Sequence, residues 1–142
     1  MKDNIDLLSS ALKTVQMGQV GIRSVQKLPL RKDLQVVLSD QLKEYDNIER
    51  QVMSLASSRG WELDDLHPVA KTMAKATTRT KLAGGRSNSK TAAMMIQGNT
   101  RGMIKGLKNL HACSRVDGQV ENLCQRLLDC EKSNITQMQG FL

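Results

Sequence analysis

Apolar side chains recur along this chain at three- and four-residue intervals, which is the spacing of one face of an α-helix. Four long stretches keep that period. Ile5, Leu8, Leu12, Val15, Ile22 and Val25 predict a first helix from about residue 4 to residue 28, with Asp3 or Asn4 as its cap and Pro29 ending it. Leu34, Leu38, Tyr45, Ile48, Val52 and Leu55 predict a second, from a cap at Asp33 to Arg59, with Gly60 as its C-terminal stop. Ile96, Met103, Leu107 and Leu110 predict a third from about residue 89 to residue 113. After a turn at Asp117-Gly118, Val120, Leu123, Leu127, Cys130 and Met138 predict a fourth from about residue 119 to residue 141.

The stretch from Gly60 to Ser89 breaks this rhythm. It holds Trp61, an acidic turn at Glu62, Asp64 and Asp65, and then His67-Pro68. Pro68 suits the first turn of a shorter helix reaching about Leu82, and Gly84-Gly85-Arg86-Ser87-Asn88 reads as a loop. The expected architecture is all-α: two long helical hairpins joined by a long crossover that contains a short helix, in a single domain over residues 1–142.

Polar residues interrupt the apolar stripes near mid-helix. Gln19 falls on the core register of the first helix, and Gln41 on that of the second, with Glu44 one step off the seam. Asn99 does so on the third helix, and Glu131 and Asn134 on the fourth. Buried polar groups need partners. Gln19, Gln41, Glu44, Tyr45, Asn99, Glu131 and Asn134 are therefore expected to meet in one interior cluster that fixes helix register.

Two segments in equivalent places of the two halves share a pattern: Glu44-Tyr45-Asp46-Asn47 and Glu131-Lys132-Ser133-Asn134. Together with the helix order, which covers nearly the whole chain, they resemble the ferritin-like superfamily. Its di-iron members place glutamates on all four helices and repeat a Glu-x-x-His motif on two of them. Here both histidine positions carry asparagine. The resemblance puts Gln16 or Gln19 in place of the first-helix glutamate and Gln97 or Asn99 in place of the third-helix one. Two carboxylates and several amides are a poor donor set for hard, multiply charged cations. The resemblance thus implies a four-helix bundle whose metal site is degenerate. A second likeness, carried by Arg59-Gly60-Trp61 after a long helix, is to spore-coat-type ferritin-like proteins.

The remaining chemistry is sparse. Neither His67, beside Pro68, nor His111, in the last turn of the third helix, completes a metal site or a nucleophilic triad. No phosphate-cradling glycine loop is present. Cys113, Cys124 and Cys130 lack CxxC spacing and read as reduced structural thiols. No catalytic residue, metal ligand or cofactor is assigned. No apolar run reaches the roughly 18 residues of a membrane span, and Met1-Lys2-Asp3-Asn4 opens no apolar signal core, so a cytoplasmic protein is expected. Three glycines at four-residue spacing, Gly98, Gly102 and Gly106, predict a close helix contact on the third helix, with a weaker echo in Gly18 and Gly21. The expected assembly is a homodimer joined along bundle faces.

Charge is unevenly spread. Between Leu66 and Val116 there are ten Lys and Arg and no acid, which leaves eleven cations and fourteen acids elsewhere; the net +7 divides into +10 and −3. Lys71, Lys75, Arg79, Lys81 and Arg86 form the part of this region that a nucleic acid would meet. With aromatics at only 2% there is nothing for bases to stack on. Charge complementarity with acidic helices of the bundle, or with a partner chain, is the preferred account.

Overall fold

The computed structural model describes residues 2–64 and 87–142. Among these the chain is all-helical. Helices α1 (Lys2–Gln26), α2 (Lys32–Arg59), α3 (Ser87–Ala112) and α4 (Gly118–Gln139) carry 25, 28, 26 and 22 residues, and no strand is present among the described residues. At 1.5 Å per residue the helices are about 33 to 42 Å long. The short helix expected after Pro68 and the Gly84-Gly85 loop lie outside the described residues.

Contacts at the helix ends fix the directions. The Arg31 amide, just before α2, donates to Asn88 Oδ1 at the start of α3 (2.8 Å), and the Arg31 guanidinium lies 5.5 Å from the centroid of the Phe141 ring after α4. At the opposite end the Asp117 amide, just before α4, donates to Asn4 Oδ1 of α1 (2.8 Å). There too Arg59, at the end of α2, donates to Asp117 Oδ2 (2.7 Å). Helices α1 and α4 therefore run one way, and α2 and α3 the other. The chain leaves α2 at one end of the bundle and enters α3 at the other. Helix α1 packs chiefly on α2 and α3 on α4, while α2 and α3 face each other only weakly across the diagonal.

The helix limits follow from local chemistry. Gly60 takes a left-handed conformation (φ 66°, ψ 27°), and its amide and that of Trp61 reach back to Ser57 O and Ala56 O. This closes α2 with the 6→1 and 5→2 bonds of a Schellman motif. Asp117 caps α4, its Oδ1 accepting from the Gln119 amide at 2.8 Å. Two expected caps are absent. Helix α1 begins at Lys2, so Asp3 and Asn4 lie inside its first turn, and Asn4 serves Asp117 instead. Helix α2 has Arg31 at its N-cap position without a side-chain cap bond. Asp33 sits in the first turn, paired with Arg31 at 2.6 Å.

The core is aliphatic. Leu8, Val15, Ile22 and Val25 of α1, Leu34, Leu38, Ile48 and Val52 of α2, and Val120 and Met138 of α4 are fully buried. Helix α3 departs from expectation. Its buried residues are Thr91, Ala92, Met95 and Asn99, whereas Ile96, Met103, Leu107 and Leu110 are only partly covered. The two sets lie about a quarter turn apart on the helix. Helix α3 turns a face of mostly small residues inward and comes close to its neighbours there at Gly102 and Gly106.

Candidate functional site: a buried polar layer

Tyr45 carries the site. One residue earlier or later on α2 would point about 100° away; Tyr45 itself points into the bundle and is 2% exposed. Its ring lies against Gly18 of α1, where a Cβ would fall only 2.6 Å from the ring carbons Cε2 and Cζ. The glycine makes room for the phenol. The hydroxyl then reaches two other helices. It lies 3.0 Å from Asn99 Oδ1 of α3 and 2.9 Å from Glu131 Oε1 of α4, and it accepts from Asn134 Nδ2 of α4 at 3.2 Å. Asn134 Nδ2 also lies 3.7 Å from Cys130 Sγ. Asn99, Glu131 and Asn134 are all buried.

Gly102 of α3 closes one side of this layer. A Cβ there would lie 3.1 Å from Thr14 Cγ2 of α1 and 3.4 Å from Glu131 Cδ and Oε2. Gly106 one turn on would meet Leu128 at 3.0 Å, but Gly98 has nothing within 4 Å. The glycine stripe is thus a close contact over two of its three positions, and what comes close is side chain rather than backbone.

Burial dominates the electrostatics. It pushes the Glu131 carboxyl up to about 7, with the Tyr45 hydrogen bond pulling the other way. The Tyr45 phenol is raised well above its ordinary value, first by burial and then by the charge of Glu131. Burial and then the Glu131 charge push the Cys130 thiol up to about 12, and Cys124 is pushed up to about 11, mainly by burial. Such thiols are poor nucleophiles.

Of the seven residues expected in one cluster, four meet: Tyr45, Asn99, Glu131 and Asn134. The other three do not. Gln19 Nε2 donates to Asp46 Oδ1 (2.9 Å) and Glu49 Oε1 (3.2 Å) at the α1–α2 seam. Gln41 Nε2 donates to Gln137 Oε1 (2.8 Å), and its own Oε1 is buried without a partner among the described residues. Glu44 turns outward, 40% exposed, and accepts from Arg126 Nε (3.0 Å) and Nη2 (2.8 Å). The reason is local. Tyr45 holds the inward direction on that turn of α2, and an adjacent carboxylate keeps its charge solvated by facing away. Arg126, Gln137 and Gly18 were not singled out as site residues. Gln137 lies three residues after Asn134, and that spacing on one helix face is the signal that could have found it.

The layer around Tyr45 therefore offers one carboxylate, already bonded to a phenol, and two neutral amides. Among the described residues no three His, Cys, Asp or Glu side chains converge. This donor set does not fit a di-iron centre, whose cations need several anionic oxygens and imidazoles. Asn47 stands apart from the layer, in an open polar groove between α2 and α4 shared with Arg50, Gln51, Ser54 and Asn122. His111 is exposed at the end of α3, and His67 lies outside the described residues.

The Arg59-Gly60-Trp61 run is a helix terminus with a bridge. The Arg59 guanidinium lies 5.4 Å from the centroid of the Trp61 ring and donates to Asp117 Oδ2 (2.7 Å) and Gln119 Oε1 (2.9 Å), tying the end of α2 to the start of α4. In the basic region, Lys71, Lys75, Arg79, Lys81 and Arg86 lie outside the described residues. Lys90, Arg101, Lys105, Lys108 and Arg115 are exposed, and none makes an ion pair with a described residue.

Comparison of the chain with protein-family models, with curated proteins and with solved structures finds no match.

Proposed function

We propose that this chain is a ferritin-like helical bundle without catalytic activity, whose metal site has degenerated into a hydrogen-bonded polar layer, and that its role is structural or interactive. The helix directions support the ferritin-like part of this reading, since two antiparallel hairpins, the first left at one end of the bundle and the second entered at the other, are the arrangement of that superfamily. The observation that carries the loss of metal chemistry is the separation of Glu44 from Glu131. One lies at the surface with Arg126, and the other is buried against Tyr45. Two ferrous ions would bring four positive charges to one interior carboxylate. A homodimer joined along bundle faces belongs to the same reading, and mass measurement in solution tests it.

The decisive experiment is iron loading. Protein incubated anaerobically with ferrous iron, exposed to air and desalted should retain no more iron than a non-binding control. It should oxidise iron no faster than buffer. Retention of about two irons per chain, as in a di-iron bundle, and lost in Glu44→Ala, would replace this reading with a metal-binding one.

A further inference from the structure

Tyr45 Oη has three polar neighbours and one hydrogen. Asn134 Nδ2 donates into it at 3.2 Å, while Asn99 Oδ1 stands at 3.0 Å and Glu131 Oε1 at 2.9 Å. A phenol donates one hydrogen bond and accepts up to two. If Glu131 is a carboxylate, both remaining neighbours are acceptors, and the single phenol hydrogen cannot serve both. One of the two short contacts then sets lone pair against lone pair in a dry interior.

Two arrangements remove the conflict. In the first, Glu131 carries a proton and donates to Tyr45, and Tyr45 donates to Asn99 Oδ1. In the second, Glu131 is ionised and takes the Tyr45 hydrogen, and the Asn99 amide makes a half turn so that its Nδ2 donates to the phenol. Each arrangement gives three contacts three hydrogens. They differ by one proton and by the direction of one amide, whose shape is nearly unchanged on reversal.

We propose that Glu131 is a proton-binding site in the bundle interior, and that its occupancy is linked through Tyr45 to which end of the Asn99 amide faces the phenol. The proton comes from solvent water and forms one O–H bond on Oε1; nothing is oxidised or reduced. Among the described residues, the titratable groups facing the carboxyl are Tyr45 from α2 and its own neighbour Cys130 on α4. Helix α1 presents Thr14, and α3 presents Asn99 and Gly102, none of which titrates. The nearby surface charge, Glu44, is paired with Arg126. Burial thus acts on Glu131 with little opposition and brings the exchange into the neutral range. A cavity of about 20 Å³, enough for a water molecule, lies between α1, α3 and α4. Ser10, Thr14, Gly102 and Asn109 help to line it. Gly102 lines this cavity and also borders Glu131, a Cβ there falling 3.4 Å from Oε2.

The test is NMR on the full chain, following the Glu131 carboxyl carbon and the Asn99 and Asn134 side-chain amides from about pH 5 to about pH 9. The expected result is a Glu131 midpoint near 7, with the Asn99 amide signals moving at the same midpoint. In Glu131→Gln the new amide donates to Tyr45 at every pH, so Asn99 should hold its low-pH position throughout. In Tyr45→Phe, Glu131 should still titrate while Asn99 no longer follows. A Glu131 midpoint in the ordinary carboxylate range, Asn99 signals that do not move, or an Asn99 response that survives Tyr45→Phe would each overturn the proposal. Either variant alone decides it if the other does not fold.

Discussion

The phenol ring of Tyr45 fills the space that a side chain at Gly18 would need: a Cβ built on Gly18 falls 2.6 Å from two carbons of that ring. The ring tip cannot give way freely, because its hydroxyl is bonded to α3 and α4. Gly18→Ala should therefore destabilise the bundle. Overpacking costs typically 1–3 kcal/mol, against which the better helix propensity of alanine returns up to about 1 kcal/mol. Urea unfolding measures the balance. A variant as stable as the parent would mean that α1 and α2 slide apart without loss.

Two other glycines should respond in opposite directions. Gly98 is exposed in α3 with nothing within 4 Å of its Cβ position. Gly98→Ala should raise stability by about 0.5–1 kcal/mol through helix propensity alone. Gly60 is equally uncrowded, but its φ of 66° is left-handed. Gly60→Ala should cost about 1–2 kcal/mol. Thermal melts of the two variants should bracket that of the parent, and a Gly60→Ala melting point at or above the parent's would refute the cap assignment.

The Glu131 carboxyl makes stability depend on pH. Its folded value is about 7, against an ordinary glutamate near 4.5 in the unfolded chain. Between those values the folded state keeps a proton that the unfolded state has released. The stabilisation is therefore fully present at and below about pH 4.5 and is lost as pH rises through about 7. The loss is of order 3 kcal/mol, since each pH unit of separation is worth about 1.4 kcal/mol. Glu131→Gln removes the titrating group, so its stability should not show this fall and should exceed the parent's at about pH 8. Denaturant midpoints on either side of neutrality would show it. A parent protein that gains stability from about pH 5 to about pH 8, with the gain lost in the variant, would invert the argument.

Glu44 should matter little. Its pair with Arg126 is more than one-third exposed on both sides. Exposed pairs contribute about 0–1 kcal/mol. Glu44→Ala should fall in that range, and a double-mutant cycle with Arg126→Ala should give a coupling below about 1 kcal/mol that shrinks with added salt. A coupling of several kcal/mol would place the pair in a drier setting than its exposure indicates.

What the residues determine unaided is the local part of this structure. A 3.6-residue period and a glycine after Arg59 are short-range signals, and they are enough for four helices and for the end of α2. They are enough, too, to put Tyr45, Asn99, Glu131 and Asn134 on inward registers, because a stripe fixes direction to within a fraction of a turn. Glu44 and Tyr45 show where that stops. They are neighbours, and the period puts Tyr45 on the stripe and Glu44 one step off it, but it does not say whether Glu44 also reaches the interior or faces away. That depends on a glycine across the interface at Gly18 and on Arg126 waiting outside, 82 residues further along. The facing of α3 was likewise decided in three dimensions. Its most apolar stripe, Ile96, Met103, Leu107 and Leu110, would be the inward one for an isolated helix. In the bundle, close approach to α1 and α4 is gained by turning Gly102 and Gly106 inward, and the large side chains settle at the edge. Hydrophobicity acts residue by residue and can be read along a chain; the space left between two backbones belongs to pairs of helices, and only their packing sets it.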